Sequence, residues 1–128
     1  MTDTDAVADQ IVAAWAALAA DTSALDDGPQ LDQPGGRDWA GVLLVEHFRA
    51  GIGAAVVEIL QQLPLPVAGL AFRDVVMACN AEFAPIALRV ADAAAAGEPF
   101  DLKKVAAEAA PFLRERIELS VERALRRA

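Results

Sequence analysis

Apolar residues recur at three- and four-residue spacing through most of the chain, which is the period of an amphipathic α-helix. Glycine and proline cluster between these stretches and separate them. The pattern predicts an all-α protein, a bundle of about four helices with expected bounds near 4–20, 39–62, 67–96 and 102–127. Pro85 and Pro111 lie inside the last two stretches, and each predicts a bend because proline removes a backbone donor.

The expected helix ends rest on individual residues. Asp38 is a suitable N-cap for the second helix, since aspartate accepts hydrogen bonds from the first free amides. Pro64 and Pro66 stop that helix, and Gly97 is a suitable residue just past the end of the third. Asp101 is positioned to cap the fourth. Residues 22–37 contain two Gly-Pro clusters and predict a turn-rich linker that is flexible in part.

The second helix stands out because its large apolar side chains point in every direction around the axis. A helix of this kind is expected to be buried on all sides. In a bundle of only four helices each helix normally keeps one face in water. The surplus apolar surface is therefore covered by the chain's own linker, by a second copy of the chain, or by another protein. The sequence leaves these alternatives open.

Composition narrows the classes of function. The 128 residues suffice for a single domain over 1–128, and 55% of them are hydrophobic, many of these alanine. The net charge is −8, with 19 acidic side chains against 11 basic ones, which argues against binding to the phosphate backbone of nucleic acids. A single cysteine, Cys79, forms no disulfide within the chain, and the acidic N-terminus does not resemble a secretory signal. Both favour a cytoplasmic location.

A membrane-spanning segment is also disfavoured. Residues 50–72 carry only one charged side chain, Glu58, over a length that would cross a bilayer. Pro64 and Pro66 interrupt this span, however, and two glutamines precede them.

No motif indicates an enzyme, a metal site or a cofactor. Gly51-Ile52-Gly53 begins like a dinucleotide-binding loop but lacks the third glycine. Glu46 and His47 are adjacent, whereas helical metal sites place Glu and His three residues apart so that both face the ion. Cys79 lies on an apolar helix face, where a thiol behaves as a small hydrophobe.

The third helix combines an apolar face with a polar one. The predicted polar face is formed by Asp74, Ala78, Glu82, Pro85, Arg89 and Asp92. Arg73 and Asn80 lie seven residues apart near the edge of the apolar face, and Glu46 on the second helix is a candidate ionic partner for Arg73. The purely structural interpretation is that Arg73 forms an ion pair and that a hydrogen bond joins the helices, with no role in function.

Two functional hypotheses follow. The first is a non-enzymatic protein that acts by self-association, as a homodimer, or by binding a protein partner. The alternative is a ligand-binding or enzymatic bundle with a pocket between the second and third helices. Four residues are the candidates for such a pocket or for an interface: Glu46, His47, Arg73 and Asn80.

Overall fold

The computed structural model describes residues 3–26 and 33–128, and over these ranges the chain forms four α-helices, one short 3-10 helix and no strand. The all-α four-helix bundle expected from the sequence is therefore confirmed. The helices are α1 Asp3–Ala19, α2 Gly36–Leu60, α3 Leu65–Ala96 and α4 Leu102–Arg127, and the 3-10 helix is Ser23–Leu25.

Two of the predicted helix ends have the expected local geometry. Gly97 ends α3 with a positive φ of 68°, and the next amide, of Glu98, donates to the carbonyl oxygen of Ala93 at 2.8 Å. The carboxylate of Asp101 accepts a hydrogen bond from the backbone amide of Lys104 at 3.2 Å and so caps α4.

The start of α2 differs from the prediction. The helix begins at Gly36, and Asp38 is an exposed residue within its first turn rather than the cap. Gly35 precedes the helix with φ 81°, and its carbonyl oxygen accepts the first hydrogen bond, from the amide of Trp39 at 3.0 Å. A positive φ is open to glycine at little steric cost, so the Gly-Gly pair starts a helix here instead of prolonging the loop.

Both internal prolines are accommodated within continuous helices. Pro85 lies inside α3 and Pro111 inside α4, and both side chains are exposed. The bends expected at these positions stay predictions. Of the 22–37 linker, Ser23–Leu25 forms the 3-10 helix, with Leu25 packed against the core, and residues 27–32 lie outside the described part.

The bundle has one hydrophobic core to which all four helices contribute. α3 packs between α2 and α4, and α1 packs against the same two helices from the other side, so α1 and α3 are diagonal neighbours. The rings of Phe48 and Phe83 stack with centroids 4.1 Å apart, which fixes the register between the antiparallel helices α2 and α3.

The structure corrects the expectation that α2 is buried on all sides. Its buried side chains follow one stripe at every fourth residue: Ala40, Leu44, Phe48, Ile52, Val56 and Leu60. Outside this stripe some apolar side chains are exposed, with Trp39 54% exposed and Val42 and Val57 nearly half exposed, among charged ones such as Glu46 and Glu58. The apolar side chains of this helix therefore fall into two groups, one buried in the core and one exposed to water.

Candidate interaction surface

The outward face of α3 carries a line of exposed side chains that we call the α3 seam. Its members alternate in steps of four and three residues, the spacing that helices use to pair in coiled coils. Five of the six are apolar, and all six are exposed: Leu70, Asp74, Met77, Ala81, Ala84 and Leu88. Cys79 and Ile86 on the opposite side of α3 are buried, so the seam lies on the face turned away from the core.

The seam crosses the face of the bundle from one neighbouring helix to the other. At one end Leu70 and Asp74 lie beside Ser120 and Arg123 of α4. At the other end Leu88 lies beside Val42 of α2. The exposed apolar surface thus continues onto α2 at the Leu88 end, whereas polar side chains of α4 border the Leu70 end.

A groove of about 300 Å³ opens between α2 and α3 at the Leu88 end of the seam. Its walls are mostly apolar, with Val42 and Val45 on α2 facing Leu88 on α3. Small residues make the space, since a Cβ added at Gly41 would lie 4.0 Å from the Cβ of Ala91. The groove is therefore shaped for an apolar group.

Charged side chains border this groove. Arg37, near the start of α2, donates a hydrogen bond to the carboxylate of Asp92 on α3, and this contact raises the pKa of the Arg37 guanidinium. Arg37 also lies 3.2 Å from Asp38. Glu46 lies on the other part of the rim and has its nearest cation in Arg49, at 3.7 Å.

His47 faces a different neighbour. Its Nε2 atom lies 2.9 Å from a carboxylate oxygen of Asp21, in the loop after α1. Hydrogen bonds from Ser23 and then from His47 hold the pKa of Asp21 well below its usual range. The contact joins the start of the linker to α2, on the side of α2 away from α3. His47 is thus not part of the groove.

Arg73 and Glu46 are too far apart to pair within one chain. Phe48 and Phe83 lie at the same level of the antiparallel helix pair. Glu46 precedes Phe48 by two residues on α2, and Arg73 precedes Phe83 by ten residues on α3. Because the two helices are antiparallel, these offsets lie in opposite directions along the bundle. At 1.5 Å rise per residue the two positions are about 18 Å apart along the bundle. Arg73 is exposed and has no ion pair among the described residues.

Asn80 is the fourth candidate. Its Oδ1 atom is buried and has no hydrogen-bond partner among the described residues. The expected hydrogen bond between helices is therefore not formed by this atom. Within one copy the structure brings none of the four candidate residues together in a pocket: Glu46 borders the groove, His47 binds the loop, Arg73 is exposed and Asn80 is partly buried.

The α3 seam is the feature that the sequence-based interpretation misses. That interpretation places Asp74, Ala78 and Glu82 on one polar face, whereas Ala78 is buried and Glu82 is partly buried. The spacing of Leu70, Met77 and Ala84, each one heptad after the last, is the pattern from which the seam could have been predicted. The seam is hard to recognise from the sequence because many neighbouring residues are alanines, which occur on core and surface faces alike.

Three other kinds of feature bear on function: metal sites, a reactive cysteine and a membrane-spanning helix. The described part of the chain contains no cluster of three or more His, Cys, Asp or Glu side chains that could hold a metal ion. Burial raises the pKa of the Cys79 thiol to about 12. Among the described helices α2 alone has the length and apolar composition needed to cross a membrane, two criteria that a core helix also meets.

Comparison with protein-family models, curated proteins and solved structures finds no match to this chain.

Proposed function

We propose that the protein acts by self-association, forming a homodimer in which the α3 seams of two copies pack against each other. The observation that carries the proposal is the exposed seam, with Leu70, Met77 and Leu88 left in water by a single chain. A group of large apolar side chains exposed on one face is typical of interaction sites. Coiled-coil spacing makes another helix of the same spacing a suitable partner.

A second copy is the favoured partner because the seam complements itself. The seam holds both large side chains, at Leu70, Met77 and Leu88, and small ones, at Ala81 and Ala84, so that a large residue such as Met77 can pack onto a small one of the other copy. A symmetric dimer also uses the same patch twice, and one exposed face is then sufficient.

The test is the molar mass in solution, measured by size-exclusion chromatography with light scattering over a range of concentrations. The wild-type chain is expected to have the mass of a dimer. Met77→Glu places a charge at the middle of the seam, 56% exposed in one copy, and is expected to give a folded monomer.

Leu125→Glu is the matched control. Leu125 is a similarly exposed leucine that lies three helical turns after Arg114, which binds Asp9 of α1, so it faces away from the seam. This variant is expected to remain a dimer. A wild-type chain that is monomeric at every concentration would contradict the proposal.

The groove between α2 and α3 supports a second candidate function, the binding of a small apolar ligand. An environment-sensitive apolar dye tests it on the monomeric Met77→Glu variant, which leaves the groove walls unchanged. Dye binding that is lost when Val42→Glu is added would support a ligand site. Absence of dye binding would leave self-association as the only candidate.

A further inference from the structure

Resting on the homodimer proposed above, we infer that the two copies pair antiparallel and that Arg73 of each copy forms an ion pair with Glu46 of the other. The orientation of the helices and the ion pair follow from separate observations.

Asp74 determines the orientation. It is the single charged member of the seam. In a parallel pair with equal register the two Asp74 carboxylates would face each other, and like charges at such a position are repelled. An antiparallel pair with its two-fold axis at the level of Cys79 places Asp74 opposite Ala84 instead. The same arrangement places Leu70 opposite Leu88 and Met77 opposite Ala81.

In this arrangement Arg73 of one copy and Glu46 of the other lie at the same height along the helix axis. Glu46 lies two residues before Phe48, and the Phe48–Phe83 stack therefore places it level with residue 85 of its own α3. Arg73 lies six residues before Cys79, and a two-fold axis there places it level with residue 85 of the second copy. The separation of about 18 Å along the axis within one chain thus falls close to zero between two chains.

The two residues also lie on the same edge of the interface. Arg73 occupies the same heptad position as Ala87, which lines the groove toward α2, so Arg73 lies on the α2 edge of the seam. Glu46 borders the same groove from α2. In an antiparallel two-fold pair of α3 helices the α2 edges of the two copies adjoin, and each Arg73 then meets the Glu46 of the other copy.

Both side chains are available for this contact. Arg73 has no ion pair among the described residues, and Glu46 has only an exposed neighbour at 3.7 Å, Arg49. Exposed ion pairs add little affinity but discriminate strongly between arrangements, because reversing one charge creates repulsion. The pair therefore selects the register in which the seams meet.

Charge reversal tests the inference. Arg73→Glu and Glu46→Arg each place like charges together twice in the symmetric dimer, and each is expected to raise the dissociation constant about tenfold. An equimolar mixture of the two variants restores two opposite-charge pairs in a heterodimer and is expected to associate as tightly as the wild type. Sedimentation velocity measures all three samples.

Arg89→Glu is the matched control, because it is the same substitution on the same helix. Arg89 lies on the α4 side of α3, with its guanidinium carbon 5.2 Å from the Phe100 ring centroid. It is expected to leave the dissociation constant unchanged. If the wild type dimerises but the mixture stays as weak as the single variants, the ion pair is wrong while self-association stands. A monomeric wild type overturns both.

Disulfide cross-linking tests the orientation independently. Leu70→Cys and Leu88→Cys are expected to cross-link when the two variants are mixed and oxidised, and not when either is oxidised alone. The native Cys79 is fully buried and does not compete. Cross-linking of either variant with itself would show a parallel pair and overturn the antiparallel one.

Discussion

Trp15 and Cys79 are joined across the diagonal of the bundle. The indole Nε1–H of Trp15 donates a hydrogen bond to the carbonyl oxygen of Cys79 at 3.0 Å, and both residues are fully buried. α1 and α3 have few other contacts, since α2 and α4 lie between them. Trp15 of α1 therefore reaches the centre of α3 behind the seam.

Trp15→Phe is expected to lower the free energy of unfolding by about 2 kcal/mol, because it removes one buried hydrogen bond and leaves unfilled volume. Denaturant unfolding followed by circular dichroism measures the loss. Trp39→Phe, at an exposed tryptophan, is the control and is expected to change stability little. Equal stability of both variants and the wild type would contradict the assigned role.

The Cys79 thiol is expected to be unreactive in the folded protein at pH 8. Burial raises its pKa to about 12, so almost none of it is thiolate, and the side chain is fully covered. Reaction with a chromogenic disulfide reagent should proceed at the rate at which the bundle opens, and immediately in denaturant. Rapid stoichiometric labelling of the native chain would be inconsistent with the packing of α3.

Asp21 predicts a pH-dependent contribution to stability. Its pKa in the folded chain lies below the ordinary value of 3.8, so the stabilisation is present above pH 3.8 and is lost as the pH falls below it. Asp21→Asn is therefore expected to be less stable than the wild type at pH 6, with a difference that shrinks toward pH 2. Thermal melts across this range measure it. Asp26→Asn, an exposed aspartate of the same loop, serves as the control.

Gly53 and Gly97 predict opposite effects of the same substitution. Gly53 lies inside α2, and a Cβ there would meet nothing within 4 Å. Gly53→Ala is expected to stabilise the chain by about 0.5–1 kcal/mol, the ordinary advantage of alanine within a helix. Gly97 has φ 68°, so Gly97→Ala is expected to destabilise it by about 1 kcal/mol. Two changes of the same sign in denaturant melts would contradict this assignment.

Asn80 is expected to tolerate an apolar replacement. Its Oδ1 atom is buried without a partner, and such an atom costs about 1–3 kcal/mol of desolvation that nothing offsets. Asn80→Leu should therefore unfold at an equal or higher denaturant concentration than the wild type. Asn80→Asp, which buries a charge at the same place, should be less stable. A marked loss of stability in the leucine variant would reveal a hydrogen bond made by Asn80.

The helix bounds were accessible from the sequence because local residues determine them. Gly97 acts through its own backbone geometry and Asp101 through its side-chain oxygen, and Pro64 directly precedes α3, whereas Pro85 and Pro111 lie within helices and mark no boundary. The start of α2 was not accessible in the same way. Gly35 and Gly36 suit a loop and a helix start equally well, and the hydrogen bond from the Trp39 amide to the Gly35 carbonyl oxygen distinguishes the two.

The candidate site depends on register between helices, which a single sequence does not contain. The stacking of Phe48 on Phe83 determines which residues of α2 and α3 share a level, and this places Arg73 far from Glu46 in one chain. Likewise, α2 has apolar side chains both inside and outside its core stripe, so composition alone does not reveal that Val42 and Val57 are open to water.

The contrast between the two tryptophans gives the molecule a pair of built-in optical reporters. Trp15 is sealed in the core, whereas Trp39 is more than half exposed at the first turn of α2. A water-soluble quencher such as iodide reaches the second and not the first. Fluorescence measured with and without the quencher therefore separates the emission of Trp15 in the core from that of Trp39 at the start of α2. The two Trp→Phe variants assign each emission to its residue.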